Sequence, residues 1–274
     1  MRTRAVAAAA LCATAAAGAM AQEPAGLDDA ALEAIAAAGG STATAVDRSW
    51  LYNDPARIAA PGRAVGLMRV TYGGESPTRA FSSNLATSGA LLEIGGEVGL
   101  ADRLSVVAIG AQGDDGGGSG QTGAMLGLRW SVLPQALRNT QLVLSGGVLR
   151  ELQGSMGAWA RASFGQDVGR VRIAAQLHGE RLFASGRDAI DVIATAGATV
   201  RLLEAVRAGI EYVGQDLEGL FDDEEAEGGP RHLIGPVISA ALFGQRLSVS
   251  AGPAVALGVG DSHVLGRVAL SYQF

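Results

Sequence analysis

The 274-residue sequence has no lysine, one cysteine and only 5% aromatic residues, and each shortage excludes something. Without lysine, arginine carries all the fixed positive charge, and 21 arginines against 27 acids leave a formal net charge of -6. Such an acidic chain lacks the basic face that nucleic-acid binding requires. The single Cys12 rules out an internal disulfide. With no second cysteine, the histidines His178, His232 and His263 are too scattered to form a His/Cys metal site, so no metal or other cofactor is expected. Long apolar runs are also missing. The longest, Ala5 to Ala17, falls short of the roughly 20 residues that a membrane-spanning helix needs.

What is present begins with an export pattern. Arg2 and Arg4 precede the apolar run, and Ala19-Met20-Ala21 supplies small residues at the spacing of a cleavage site, so residues 1–21 are expected to be a signal peptide cleaved before Gln22. Leu11 directly before Cys12 argues against lipid attachment. Cleavage removes Arg2, Arg4 and the only cysteine, taking the formal charge to about -8.

The remainder divides into a short front segment and a long periodic one. Residues 22–62 predict a helix from about Asp28 to Ala38, with acids at its positive start and Gly39-Gly40 as its stop. A segment this short is too small for a second core, and reads as a periplasmic or plug segment. From residue 63 to 274 the apolar positions recur with period two between clusters of Gly, Asp, Asn and Pro. Leu92, Ile94, Val98 and Leu100 oppose Glu93, Gly95, Glu97 and Gly99; Val171, Ile173 and Leu177 oppose Arg172, Gln176, His178 and Glu180. About twelve strands fit, most long enough to cross a bilayer at a tilt, with tight connections alternating with longer ones. The expected fold class is all-β: an antiparallel transmembrane β-barrel over residues 63–274, with a short N-terminal helical segment. A soluble sandwich alternates in the same way, so periodicity alone does not choose.

The last strand does choose. Val264, Val268, Leu270, Tyr272 and Phe274 share one face, while Arg267, Ser271 and Gln273 share the other. This ending resembles the closing strand of bacterial outer-membrane proteins, in which apolar side chains at alternate positions lead to a terminal aromatic. The resemblance implies an outer-membrane location, contact with outer-membrane lipid, and Tyr272 and Phe274 as a signal read by the barrel-assembly machinery. Gly99-Leu100-Ala101-Asp102-Arg103-Leu104-Ser105 is similar to a strand-turn-strand phrase, G-L-T-D-R-L-S, of transporter-like barrels. Asn53-Asp54-Pro55-Ala56-Arg57-Ile58-Ala59 resembles the N-P-A-G-L-A phrase of fatty-acid-transporter-type barrels, although Asp54 splits the Asn-Pro pair and Arg57 replaces the glycine.

Function then rests on the interior. Twelve strands are intermediate between barrels that side chains fill and barrels that hold an aqueous channel. Many inward positions are small, among them Gly99, Gly197, Ser250 and Gly252, which suggests that strand side chains alone leave space. The candidate lumen-lining residues are Glu93, Glu97, Arg129, Arg172, His178, Glu180, Asp191, Arg201, Arg207, Glu211 and Arg267. They can line a pore for hydrophilic solutes, passive or gated, or pair across the lumen as a structural network. A barrel with a closed lumen serving structure or surface interaction is the second reading. A lipid-modifying enzyme is the third and is not expected, because no His-x-Ser phrase is present.

Overall fold

In the computed structural model, the described residues are 50–53, 56–73, 90–114, 120–133, 139–152, 154–183, 190–215, 217, 231–257 and 263–274. The expected signal peptide and the helix over 28–38 lie outside them.

Twelve antiparallel strands close into one barrel, each paired with its neighbours in sequence and β1 with β12. The strands are β1 (Ala64–Gly73), β2 (Ala90–Ala101), β3 (Leu104–Asp114), β4 (Gly120–Ser131), β5 (Thr140–Arg150) and β6 (Met156–Val168). The ring continues with β7 (Val171–Leu182), β8 (Asp191–Arg201), β9 (Val206–Gln215), β10 (Arg231–Leu242), β11 (Leu247–Leu257) and β12 (His263–Gln273). Closure leaves no free edge, so the backbone polar groups find partners within the wall, as the apolar layer of a bilayer demands. Val65 pairs with Gln273 and Gly73 with Leu265, and the Phe274 amide donates to the Ala64 carbonyl at 2.9 Å.

Period two sorts the side chains as expected. Ile94, Leu126, Leu128, Leu177, Ile210 and Ile238 are each about half exposed on the outer face, while Glu93, Glu97, Arg129, Arg172 and Glu211 on the alternate positions are buried inside. An outer surface this apolar is costly in water and favourable in lipid. The short connections sit at one end with β12's terminus, including Ala101–Leu104, Val168–Val171 and Leu242–Leu247. Gly169 takes φ 61° there, a left-handed conformation that favours glycine. We call this the turn end and the opposite one the loop end. Trp130, Phe243, Tyr272 and Phe274 are exposed near the turn end, with the Tyr272 and Phe274 rings edge to face at 4.9 Å. These few aromatics form a sparse girdle.

The interior is not uniformly polar. Leu91, Ile109, Met125, Leu149, Trp159 and Leu182 form one apolar cluster inside the barrel; Ile193, Val213, Leu233, Val237, Ala254 and Leu265 belong to another. Leu91, Leu149, Leu182, Leu233 and Leu265 all lie among the last three residues of their strands on the loop side. A closed, filled barrel needs packed apolar side chains within as well as without, because a narrow lumen cannot hydrate every inward group.

A folded closed barrel of this size should migrate differently on gels with and without boiling in detergent. Identical mobility in the two lanes would contradict the closed barrel.

Candidate functional site

The lumen is occupied by the chain's own front segment. Pro61 bridges to Gly99 of β2, and the Gly62 amide donates to the Gly99 carbonyl at 3.0 Å, which brings the chain in at the turn end. From there residues 56–60 and 50–53 run inside, with Trp50, Leu51, Tyr52, Asn53, Ile58 and Ala59 buried. The small inward residues make the room. A Cβ on Gly99 would lie 2.1 Å from the Ala60 carbonyl oxygen, and one on Gly197 would lie 2.6 Å from the Trp50 ring.

Two carboxylates hold this segment. Glu211 Oε2 accepts from the Leu51 amide at 2.8 Å; its Oε1 accepts from the Tyr52 and Asn53 amides, each at 3.2 Å, and from Asn53 Nδ2 at 3.0 Å. Thr195 Oγ1 donates to Asn53 Oδ1 at 2.5 Å, fixing the side-chain amide. Glu97 Oε1 accepts from the Ala59 amide at 2.7 Å and from Ser105 Oγ at 2.6 Å, while its Oε2 takes Arg129 Nη1 at 2.6 Å. Hydrogen bonds to an ionised acceptor are each worth about 1.5–3 kcal/mol, so Glu211 is a strong anchor for three consecutive backbone amides.

The other inward charges pair. Glu93 Oε2 lies 2.7 Å from Arg267 Nη2 and its Oε1 lies 3.7 Å from Arg69 Nη1, while the Arg267 guanidinium sits 5.0 Å from the centroid of the Tyr52 ring. Burial raises the Tyr52 phenol above its ordinary value, which keeps it neutral beside that cation. Arg161 Nε donates to His178 Nδ1 at 3.1 Å, and His178 Nε2 meets Glu180 Oε1 at 2.7 Å. With Nδ1 accepting, the ring is neutral and its Nε2–H donates to Glu180. Arg172 grips Asp167 through two bonds of 2.6 and 2.7 Å. Arg207 Nε donates to Thr199 Oγ1 at 3.1 Å.

Of the eleven candidates, nine are thus buried in the interior. Asp191 is partly buried, opposite Glu180 in the β7–β8 register. Arg201 ends β8 at the rim opposite the inward Arg207, on the same face but exposed to water. Arg69, Asp167 and Asn53 were absent from the candidates. Arg69 is legible from its place between outward Met68 and Val70 on β1, whereas Asn53 lies in irregular chain that carries no period.

A cavity of about 30 Å³ remains beside Trp50 and Asn53, lined by Arg69, Glu97, Arg129, Ser145 and Arg161 among others. One water needs about 10–15 Å³ of such space, so this cavity holds about two.

No protein-family model and no curated protein matches the sequence. Solved structures do match the fold. An outer-membrane channel from Pseudomonas putida F1 superposes with a TM-score of 0.54 at 12% identity, over 81% of this chain and 99% of that one. The KdgM porin, in complex with disordered oligogalacturonate, gives 0.53 at 8% identity over 77% and 99%. The fold is that of outer-membrane porins. The NanC porin agrees, with a TM-score of 0.50 at 7% identity over 76% and 98% of the two chains. The porin-like barrel described here therefore combines an outer-membrane architecture with a lipid-suited exterior and an interior filled by its own front segment. The solved barrels it resembles are porins and channels.

Proposed function

We propose that this outer-membrane barrel is a gated pore for small hydrophilic solutes, with residues 50–53 and 56–60 as the gate. The observation that carries the reading is the docking of Leu51, Tyr52 and Asn53 on Glu211 inside a wall that otherwise has the architecture of a porin. The gate is joined to the wall by hydrogen bonds, and such bonds exchange for water once the segment leaves. Behind it stand Arg69, Glu97, Arg129 and Arg161, which suit polar cargo. The KdgM porin's bound oligogalacturonate makes acidic sugars a first class to try. His178 has both ring nitrogens engaged, by Arg161 and Glu180, which suits a structural role better than that of a catalytic base. On this reading the lumen charges serve structure and passage rather than chemistry, and Tyr272 and Phe274 serve assembly.

Folded full-length protein in planar bilayers should show discrete conductance steps separated by long closed periods. Persistent silence from correctly inserted protein would favour the second reading, a structural barrel with a closed lumen, which the small cavity also supports.

A further inference from the structure

The lumen wall beside Tyr52 carries hydrogen-bond donors that have no acceptor. Among the described residues, five buried hydroxyls make no hydrogen bond within the protein; three of them, Tyr52 Oη, Thr71 Oγ1 and Ser250 Oγ, share one corner with Arg267, whose Nε and Nη1 are also unbonded. Strand register brings them together. Thr71 on β1 is the direct cross-strand partner of Arg267 on β12, and Ser250 on β11 pairs with Ala269, the next inward residue along β12. Directly opposed and diagonal positions on one face of a sheet lie within reach of a long side chain such as arginine. Tyr52 covers the corner from the front segment, with its ring over the Arg267 guanidinium. All four side chains are more than nine-tenths buried.

Burying such groups unsatisfied is costly, and several of them on neighbouring strands call for a common cause. Their chemistry is one-sided. Guanidinium nitrogens only donate, and hydroxyls can turn to donate. The acids at hand are already engaged: Glu93 faces Arg267 at 2.7 Å and Arg69 at 3.7 Å, while Glu211 accepts from the Leu51, Tyr52 and Asn53 amides and from Asn53 Nδ2. A ligand that brings lone pairs and a negative charge suits two guanidiniums that share one carboxylate, whereas a water brings two further protons that need acceptors. The cavity with room for about two waters borders this corner through Arg69 and Ala269. Its size admits a halide or formate and excludes bulkier anions.

We propose that this corner is a binding site for a small monovalent anion, a halide or a carboxylate the size of formate, which bridges Tyr52 of the front segment to Thr71, Ser250 and Arg267 of the wall and so locks the segment in place. The site is complete only while Tyr52 is docked. By mass action the anion therefore favours the filled lumen, and its concentration sets how firmly the segment is held. The site concerns the docked segment alone, so it stands whether or not the barrel conducts.

The test is a bromide titration of the folded full chain in detergent micelles, at constant ionic strength against a bulky sulfonate anion that the cavity does not admit, with urea unfolding followed by tryptophan fluorescence. In the parent protein the urea midpoint should rise saturably with bromide, because a ligand that binds only the folded state stabilises it. Tyr52→Phe removes just an oxygen that makes no hydrogen bond within the protein. Without an anion site, that change leaves the midpoint unchanged or raises it in either salt. With the site, it lowers the midpoint in bromide alone and raises the half-saturating bromide concentration at least tenfold; Thr71→Val, close in shape, should do the same from the wall. A parent midpoint with no saturable bromide response overturns the proposal, and so does a response that survives unchanged in Tyr52→Phe. The parent titration decides even where a variant does not fold.

Discussion

Replacing Glu211 by glutamine should raise the open probability of the pore by tenfold or more in planar bilayers. The side chain keeps its size, but one carboxylate oxygen becomes an amide donor facing backbone amides that also donate. In the parent protein Glu211 accepts four hydrogen bonds, from the Leu51, Tyr52 and Asn53 amides and from Asn53 Nδ2. Losing even one charge-assisted bond of about 1.5–3 kcal/mol, when each 1.4 kcal/mol is tenfold in an equilibrium constant, shifts the docked state by roughly ten- to hundredfold. The effect is confined to the closed state, because the released amides are hydrated in the open one. Step size should stay constant while dwell times change. An unchanged open probability would mean that something other than this docking keeps the lumen shut.

The second large effect concerns stability. Glu97→Ala should cost about 3–5 kcal/mol, because it removes the buried carboxylate that meets Arg129 at 2.6 Å and leaves the Ala59 amide and Ser105 hydroxyl without this acceptor. Arg129 and Glu97 have side chains only 6% and 2% exposed, so water does not rescue the remaining charge. Adding Arg129→Met to Glu97→Ala should recover part of the loss, since an apolar side chain of similar length removes a buried charge that has lost its 2.6 Å carboxylate partner. Urea unfolding in lipid vesicles, followed by tryptophan fluorescence, measures both. A single variant within about 1 kcal/mol of the parent protein would mean that the pair is hydrated in the membrane.

These networks show where local reading stops. The partition of Glu93, Glu97, Arg172 and His178 to one face follows from adjacent residues alone, since side chains alternate along any strand. Their partners do not follow. Arg267 reaches Glu93 across 174 positions of sequence because closure of β12 on β1 brings β2 within range. His178 lies between Arg161 on β6 and Glu180 on its own strand, an arrangement set by hairpin register.

The sequence by itself determined an antiparallel series of about twelve strands, the apolar exterior and many of the inward charges, because each rests on period two and on turn residues within a few positions. The last strand, from Val264 to Phe274, was already legible as the barrel's closing element. Only the tertiary structure decided that the lumen is filled and by what. The bond from the Leu51 amide to Glu211 joins residues 160 apart in irregular chain and leaves no periodic mark in the sequence. The small inward glycines, read as empty space along the strands, became the bed of residues 50–53 and 56–60 once the ring closed around them.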